Sequence, residues 1–456
     1  MKQIASPPNH SRRREGADSM AMSAAARRRR QAHGSVLIIV LWIALGLVAI
    51  TLYFANAMSS ELRAADNRVA MLAADQAIEG AARYVASVLT EQATNGIVPY
   101  ITDYANEAVA VGEAHFWLLG RDFSQGAPNQ IAFGLADEGA KLNLNTATVE
   151  MLELLPRMTP ELAAAIVDWR DADSDITSGG AEAETYGRLR PPYLCKNAPF
   201  DSVDELRLVS GATMDILLGE DTNRNGILDP NETDENRDGL ADPGILEYVT
   251  VWSREPNLRS DGTARIRIGD RNAMQGLLGQ AFNAERANQI MNRPGITNAS
   301  SPLEFYTRSG MSAEEFAQIE TEITTVGGPI IEGRVNVNTA SAAVLACLPG
   351  IGDDKALELV AYRQANTDSV DSVAWVTKVL SAQEISQAGR LLTGQSYQFT
   401  ADVAALGPFG RGYRRSRFVF DLSEGTPKII YRQNLGSLGW ALGRETRATW
   451  LATTTP

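Results

Sequence analysis

SVLIIVLWIALGLVAITLYFANA, residues 35–57, is the stretch that decides the fold, because no charged side chain occurs between Gly34 and Ser60. As an α-helix rising about 1.5 Å per residue, this stretch is long enough to cross the roughly 30 Å hydrocarbon core of a bilayer. The sequence therefore predicts one transmembrane helix, with a large body following it.

Basic residues lie before this apolar segment, and acidic residues dominate after it. Residues 1–34 contain eight Lys or Arg side chains and two acidic ones, although the whole chain has a net charge of −13. Since basic flanks stay in the cytoplasm, the N-terminus is predicted to be cytoplasmic and the acidic body to lie on the other side of the membrane. At 44% hydrophobic residues, the body can form about two or three folded domains.

The junction of Gly34 and Ser35 resembles a prepilin-type leader, in which basic residues and a glycine precede an uninterrupted apolar helix. That resemblance implies that a membrane peptidase cuts after Gly34 and leaves Ser35 as the mature N-terminus, whichever of Met1, Met20 and Met22 starts the chain. A secretory signal peptide would have a shorter apolar run ending in a small-x-small cleavage site. A plain signal anchor is the other alternative.

Helical periodicity continues beyond the apolar segment and predicts one helix that ends at about residue 92. This resembles the long spine helix of pilin-like proteins. Most pilin-like subunits carry Glu at the fifth mature position, where this chain has Ile39. In that family the Glu carboxylate pairs with the terminal amine of the neighbouring subunit. A subunit without the carboxylate therefore suits a position in the filament where that pairing does not occur. The apolar positions at helical spacing are Val69, Leu72, Ile78, Ala81, Tyr84, Val85, Val88 and Leu89.

Two segments of the body repeat each other at an offset of 193 residues: LNLNTATVEMLELLPRMTPELAAAIVDWR at 142–170 and VNVNTASAAVLACLPGIGDDKALELVAYR at 335–363. In each, the Asn-Thr pair is predicted to start a first helix, Leu-Pro to end it, and a second helix to begin at about Pro160 and Asp353. A related helix start follows each copy, at 201–203 and 371–373. The pattern resembles a duplicated helix-hairpin-helix (SAM-like) unit.

Such hairpins present backbone amides to phosphate, so DNA binding has to be weighed. The first copy has acidic residues in excess and carries Arg157-Met158-Thr159 where the hairpin glycines belong. The second copy has Gly350-Ile351-Gly352, but its charges only balance. Because such fields do not attract phosphate, we expect no nucleic-acid partner and a role in packing or protein contact.

Short apolar or alternating segments frame the helical region and predict strands. They are Ala114–Leu119, Gln130–Phe133, Ser396–Ala404, Arg414–Leu422 and Lys428–Gln433, with a hairpin turn at Asp421–Gly425. The predicted fold class is α+β: a spine helix whose transmembrane part is 35–57, and a pilin-like α/β domain (58–138 and 392–440) interrupted by an inserted α-helical domain (139–391). Residues 441–456 are predicted to be a loose tail.

Residues 221–232, DTNRNGILDPNE, match the calcium-loop pattern D-x-[DN]-x-[DN]-G-x5-E at every required position. This spacing predicts a site with about seven oxygen ligands, in which a glycine at position six permits the turn, Ile227 offers its carbonyl and Glu232 binds bidentately. Calcium fits this set better than magnesium, which prefers six stricter ligands; a solvated acidic loop without metal is the alternative. The predicted ligands are Asp221, Asn223, Asn225, Ile227, Asp229 and Glu232.

The next run, residues 234–242, repeats the first nine positions of that pattern. Its twelfth position is Ile245, so a second site is predicted to be weaker or to take a ligand from elsewhere. Without a cation, repulsion among the acids of residues 220–247 should leave the whole loop disordered. The predicted ligands of the second site are Asp234, Asn236, Asp238, Leu240 through its carbonyl, and Asp242.

Few residues of this chain suit catalysis. His115 is the one histidine after residue 33, which leaves little for Ser-His-Asp, Cys-His or multi-histidine metal chemistry. The two cysteines, Cys195 and Cys347, exclude a disulfide-dense scaffold. In an oxidising compartment they are predicted to form one disulfide, with two buried thiols as the alternative. We expect that the protein is not an enzyme.

The order of the motifs along the chain resembles that of the K-class minor pseudopilins of type II secretion systems. The motifs are the leader without the fifth Glu, the paired Asn-x-Asn-Thr-Ala units, the inserted calcium loop and YVTVWSREP at 248–256. That resemblance implies a subunit at the pseudopilus tip, in the inner membrane of a Gram-negative bacterium with its body in the periplasm. Its expected partners are the I- and J-class minor pseudopilins, the prepilin peptidase, and secreted substrates or the outer-membrane channel. A membrane-tethered helix-hairpin-helix DNA receptor is the alternative.

Overall fold

The computed structural model describes residues 12–93, 95–121, 130–367 and 372–452, with backbone alone for 12–35 and 451–452. The chain divides into two compact units, Met1–Val69 and Ala70–Pro456. The first unit contributes helix, and the second contains a mixed α/β body.

The helices and strands are numbered here in chain order. The helices are α1 (Arg12–Gln92), α2 (Val149–Glu153), α3 (Pro160–Arg170), α4 (Ala183–Gly187), α5 (Met214–Leu218), α6 (Arg271–Ala281), α7 (Ala284–Met291), α8 (Pro302–Ser309), α9 (Ala313–Ala317), α10 (Ala342–Ala346), α11 (Gly352–Ala365), α12 (Ala382–Ala388) and α13 (Gly443–Ala452). The strands are β1 (Val109–Val111), β2 (Ala114–Leu119), β3 (Ala136–Asp137), β4 (Leu142–Asn143), β5 (Val249–Thr250), β6 (Arg254–Pro256), β7 (Ile266–Arg267), β8 (Ile323–Thr324), β9 (Ile330–Glu332), β10 (Val335–Asn336), β11 (Leu392–Thr393), β12 (Gln398–Leu406), β13 (Arg414–Asp421) and β14 (Lys428–Asn434).

Helix α1 contains the apolar segment and ends at Gln92, where the apolar spacing predicts its end. From Val36 onward the helix is long and apolar enough to cross a membrane, and its most apolar part is not buried. Large apolar side chains such as Leu37, Trp42 and Phe54 are more than half exposed. An apolar helix without a protein covering fits a single-pass membrane protein.

The last part of α1 packs on a sheet through a row of small residues. Ala74, Ala77 and Ala81 have no exposed surface and follow one another at spacings of three and four. Such spacing places them on one helical face, and their small size lets the helix axis approach the sheet closely. They share one core with Phe116, Leu118, Phe399, Val403, Phe418 and Phe420.

The sheet has six antiparallel strands in the order β1-β2-β12-β13-β14, with β3 paired to β12. Its strands therefore come from residues 109–137 and 398–434, and the two parts of the chain meet where Leu118 lies opposite Val403. The predicted strands at 114–119, 396–404, 414–422 and 428–433 are confirmed within two residues at each end. The predicted strand at 130–133 is wrong, because Phe133 forms a single bridge to Leu119.

Two glycines in the β12–β13 connection allow that connection to touch the backbone of α1. A Cβ on Gly412 would lie 2.4 Å from the carbonyl carbon of Ala70, and one on Gly407 would lie 2.1 Å from the Ala70 oxygen. Gly412 also has φ +69°, which an L-residue adopts at a cost. The close approach of helix and hairpin at this point therefore requires glycine.

Gly412→Ala is expected to lower the free energy of unfolding by about 1–3 kcal/mol more than Gly425→Ala. Gly425 has a similar φ of +85°, but a Cβ there would meet no atom within 4 Å, so the difference isolates the clash with α1. Urea unfolding of the full chain in detergent measures both. Equal losses for the two variants would contradict the close contact of the hairpin with α1.

The C-terminal residues form a helix where the sequence predicts a loose tail. Helix α13 brings Trp450 to the outer face of the sheet, with its ring centroid 5.6 Å from that of Trp117 and 4.5 Å from that of His115. Ala441 and Leu442, just before the helix, are fully buried against Leu119 and Leu406. The prediction of a loose tail at 441–456 is therefore wrong for residues 441–450, because these apolar side chains cover the second face of the sheet.

The duplicated segments adopt the same local structure. Strand β4 and helices α2 and α3 start at residues equivalent to those of β10, α10 and α11, within one residue of the 193-residue offset. A guanidinium closes each unit in the same way, since Arg170 donates to the Leu144 carbonyl and Arg363 to that of Val337. Each first strand pairs in parallel with a later one, β4 with β5 and β10 with β11.

The first helix of each unit begins later than the sequence predicts. Thr148 and Ser341 are the N-caps of α2 and α10, and their hydroxyls accept hydrogen bonds from the amides of Met151 and Val344. Asn143 and Asn336 instead lie in strands, with each side-chain oxygen accepting from the amide two residues on. The predicted Asn-Thr pairs, Asn145-Thr146 and Asn338-Thr339, lie in the turns between strand and helix. The prediction that they start the helix is therefore wrong, because the Asn side chains stabilise a turn first.

Candidate functional site

The acidic segment 220–242 forms two consecutive loops between α5 and Ile245. A backbone bridge between Gly219 and Pro243 closes the base of the pair. In the first loop, Asp221 accepts hydrogen bonds from the amides of Asn225 and Gly226, both at 2.8 Å. The loop therefore turns around the first predicted ligand, as the sequence pattern requires.

The other predicted side chains of the first loop converge on Asp229. The side-chain amides of Asn223 and Asn225 lie 2.6 and 2.9 Å from one oxygen of that carboxylate. Glu232 accepts hydrogen bonds from the amides of Asn223 and Asp229, at 3.2 and 2.9 Å. Ile227 is buried, and its amide donates to the Asn225 side chain. All six predicted residues are thus brought together.

The second loop repeats the first in conformation. Arg224 and Arg237, at position four of each run, have φ of 57° and 61°, and the glycines at position six have φ of 82° and 79°. Asn236 donates to Asp242 at 3.0 Å as Asn223 donates to Asp229. Two backbone contacts also match: Gly239 donates to Asp234 and Leu240 donates to Asp238, as Gly226 donates to Asp221 and Ile227 to Asn225. Two sequence runs of the same pattern therefore form two equivalent loops.

Glu220 is a site residue that sequence reasoning misses. It is 3% exposed and accepts hydrogen bonds from the amides of Glu235 and Asp242, at 2.6 and 3.0 Å. Asp242 is the ninth residue of its loop, so Glu220 holds the second loop as Glu232 holds the ninth residue of the first. No motif marks Glu220, because the bridge at the base of the loops brings it to the second loop from outside that run.

The donor set of both loops suits a hard cation. The Asn223 side-chain oxygen is buried and has no hydrogen-bond partner among the residues that the structure describes, which costs free energy unless another group binds the oxygen. Burial and the neighbouring carboxylates of Glu220 and Asp238 raise the pKa of Asp242. Among the described residues, no three His, Cys, Asp or Glu side chains form a metal-binding group by themselves. A cation would therefore also need the asparagine and backbone oxygens.

Two arginines, Arg415 on β13 and Arg121 just after β2, hold the first loop through its backbone. Arg415, whose side chain has no exposed surface, donates to the carbonyls of Asn223 and Arg224 at 2.5 and 2.6 Å. Arg121 donates to the same Arg224 carbonyl and lies 3.0 Å from Glu247. The loop is thus fixed to β13 and to the end of β2.

One carboxylate compensates the arginines of β13. Asp402, on the adjacent strand, contacts Arg415 with both oxygens at 2.8 Å and Arg417 at 2.9 Å. Burial opposes its ionisation, but the two guanidinium groups outweigh burial and lower the pKa of Asp402. Burial is likewise outweighed at Glu247, where Arg121 lowers the pKa to about 2. These groups form a charged cluster beneath the first loop.

The hairpins of the duplicated units do not suit phosphate. Gly350 and Gly352 have φ of 81° and 66°, but Asp353 and Asp354 occupy the first turn of α11 and repel an anion there. In the first unit, Arg157 has φ 61° at the position of Gly350, and its side chain lies 3.2 Å from Glu235 of the second acidic loop. This geometry does not favour phosphate binding by either hairpin.

The two cysteines are not joined, so the predicted disulfide between Cys195 and Cys347 is absent from the structure. Both are free thiols; Cys195 donates to the Asp168 carbonyl and Cys347 to the Ala343 carbonyl within its own helical turn. Burial raises the pKa of both thiols, that of Cys347 to about 12. The packing of α10 holds Cys347 inside the core of the helical region.

The remaining predicted sites are Gly34, Ser35 and the lone histidine. Gly34 and Ser35 lie in α1, in the part of the helix for which only the backbone is described. His115 packs on Trp450, and burial lowers its pKa. Within the described part of the chain, its Nδ1 has no hydrogen-bond partner. The contacts described for His115 are those of a packed side chain.

Comparisons with known proteins match two segments of the body. The family described as type II secretion system (T2SS), protein K, first domain, matches residues 136–218. The helix-hairpin-helix motif matches residues 332–380, which contain the second repeated unit. The first match contains the first repeated unit and ends at the last residue of α5, two residues before the acidic loops begin.

Two curated relatives and one solved structure are similar to the chain. It is 41% identical over 73 residues to type II secretion system protein K of Klebsiella pneumoniae and 41% identical over 68 residues to that of Aeromonas hydrophila, covering 16% and 15% of this chain. The aligned segments span about a fifth of the length of these relatives, 22% and 20%. A chain in the crystal structure of the GspK-GspI-GspJ complex from enterotoxigenic Escherichia coli has a TM-score of 0.39 at 12% identity, with 79% of this chain and 96% of that chain covered.

Proposed function

We propose that this chain, whose residues 136–218 match the protein K domain of type II secretion systems, is a K-class minor pseudopilin. The match to that domain is the observation that carries the proposal. A single apolar helix that continues into an antiparallel sheet supports it. The protein then serves export across the outer membrane as a structural subunit, without catalysis of its own.

The arrangement of the chain suits a position at the tip of the filament. The apolar part of α1 has exposed side chains that neighbouring subunits and lipid can cover. Ile39 replaces the glutamate of most pilin-like subunits, so the helix needs no terminal amine above it. The region between β3 and β12 is too bulky to be stacked upon. Such a subunit caps the filament and nucleates assembly below it.

The proposed location follows from the same helix. The basic leader stays in the cytoplasm, the apolar segment crosses the inner membrane once, and the body lies in the periplasm. The partners that this role implies are the I- and J-class minor pseudopilins, the prepilin peptidase, and a secreted substrate or the outer-membrane channel. The acidic body offers these partners a negatively charged surface.

Calcium is the proposed cofactor of the two acidic loops. Asp221, Asn223, Asn225, Asp229 and Glu232 with the Ile227 carbonyl would hold it in the first loop. Asp234, Asn236, Asp238 and Asp242 with the Leu240 carbonyl would hold it in the second, where Glu220 supplies the missing carboxylate. Bound calcium supplies positive charge that offsets the repulsion among these carboxylates. Arg415 and Arg121 meanwhile hold the first loop on the sheet.

Glu220→Gln is expected to weaken calcium binding by the second loop at least about tenfold, because a neutral amide replaces a charged ligand. Calcium binding by the first loop should not change. Glu232→Gln is expected to weaken calcium binding by the first loop instead. Titration calorimetry of the full chain in detergent gives the number of sites and their affinities. Glu235→Gln is the matched control, since it removes a charge from the same segment but pairs with Arg157 at the surface. Wild-type binding by Glu220→Gln would refute its role.

Processing at Gly34 tests the proposed class of protein. The full chain is expressed with a prepilin peptidase, and the mature N-terminus is determined by mass spectrometry. We expect cleavage after Gly34, with Ser35 as the first residue, and no cleavage of Gly34→Leu. An N-terminus that retains residues 1–34, or a cut after the apolar segment, would contradict a pseudopilin.

A further inference from the structure

A small polar cavity lies away from the acidic loops, where β6, the start of α8 and the segment around β11 meet. Its volume is about 30 Å³, and it is partly open to solvent. A single ordered water needs about 10–15 Å³ on this scale, so the cavity has room for about two waters or one small ligand. Its lining includes four charged side chains: Glu255, Arg265, Glu320 and Arg334.

Arg334 is the unusual residue of this lining. Its side chain is 7% exposed, and its Nη1 lies 2.7 Å from Glu255. Its Nε and Nη2 are buried and have no hydrogen-bond partner among the described residues. Arg334 also lines a second cavity of about 10 Å³ next to the first. Buried donors are normally satisfied, so these free N–H groups indicate a missing acceptor.

The two free nitrogens define the chemistry of that acceptor. Nε and Nη2 lie on the same edge of the guanidinium plane, and their N–H bonds run parallel, which matches the two oxygens of a carboxylate. The opposite corner of the group is already used by Glu255. We propose that this cavity binds a small free carboxylate anion, of the size of formate or acetate, side-on to Arg334.

The other charges around the cavity support an anion at this place. Arg265 lies 3.6 Å from the second oxygen of Glu255, so one carboxylate faces two guanidinium groups. Glu320 lies on the same cavity and is bound by the Ser372 hydroxyl at 2.6 Å. Burial raises the pKa of Glu320 to about 7, which reduces its negative charge near neutral pH. The net charge of the lining therefore becomes positive when Glu320 is protonated.

The test uses acetate as the probe and the full chain in detergent. We expect saturable stabilisation by sodium acetate in thermal unfolding, beyond that of sodium chloride at equal ionic strength. Arg334→Lys keeps the charge and the pairing with Glu255 but loses the two-donor edge, so acetate should bind at least about tenfold more weakly. Glu320→Gln removes a competing negative charge with little change of volume, so acetate should bind several-fold more tightly.

Equal effects of acetate and chloride on the wild-type protein would overturn the proposal, as would unchanged acetate affinity in Arg334→Lys. If Arg334→Lys does not fold, saturation-transfer NMR tests the proposal instead, by comparing the acetate signal of the wild-type protein with that of Glu320→Gln. A signal strengthened by Glu320→Gln supports the carboxylate site. No signal in either protein means that the cavity holds water only.

Discussion

Asp402→Asn is expected to lower the free energy of unfolding by about 3–5 kcal/mol, the range for a buried ion pair that loses one partner. The substitution keeps the shape of the side chain but removes its charge. Arg415 and Arg417, which it pairs with on β13, would then remain as buried cations. Because Arg415 also holds the first acidic loop, the loss should loosen that loop as well.

Urea unfolding of the full chain in detergent, followed by tryptophan fluorescence, measures this loss. Asp75→Asn is the matched control: it breaks the Asp75–Arg414 pair, which has the same 2.8 Å distance but whose side chains are 52% and 33% exposed. Such a pair contributes at most about 1 kcal/mol. Similar losses for the two variants would contradict the buried cluster.

Removal of calcium is expected to give the second large effect. A ligand that binds only the folded state at 100 times its dissociation constant stabilises by about 2.7 kcal/mol per site. The melting temperature of the full chain should therefore rise with calcium and fall again with a chelator. Asp221→Ala should remove the contribution of the first loop, because Asp221 is the residue around which that loop turns.

Differential scanning calorimetry at several calcium concentrations checks this expectation. Asp261→Ala is a suitable control, because Asp261 also caps a turn in a loop with glycine, but its contacts are with Arg259 and Thr263, outside the acidic loops. Asp261→Ala should keep the full calcium response. A melting temperature independent of millimolar calcium in the wild-type protein would exclude the metal sites and leave the loops as ordinary acidic turns.

Features that depend on neighbouring residues in sequence could be predicted. The end of α1 follows from apolar positions at spacings of three and four, and β2 follows from one short apolar run. The two acidic loops share their turns at Arg224 and Arg237 because the pattern places glycine and side-chain acceptors at the same offsets. In each of these cases the determining interactions lie within a few residues.

Features that depend on distant parts of the chain could not be predicted. Glu220 reaches the second loop only because Gly219 pairs with Pro243. Helix α13 packs through Trp450 against Trp117, which lies more than 300 residues earlier in the chain. Asp402 interrupts the apolar run of β12 and Arg415 lies in the polar first half of β13, but the register that brings them together is set by the whole sheet. Tertiary contacts decide these features, and local patterns do not record them.

Secretion tests the central claim, that this chain is a minor pseudopilin, most directly. The gene is deleted in the bacterium that encodes it, and the exported proteins in the medium and the periplasm are quantified with and without the wild-type chain supplied in trans. We predict that exported proteins accumulate in the periplasm after the deletion, that the wild-type chain restores export, and that Gly34→Leu does not. Undiminished export from the deletion strain would contradict the assignment.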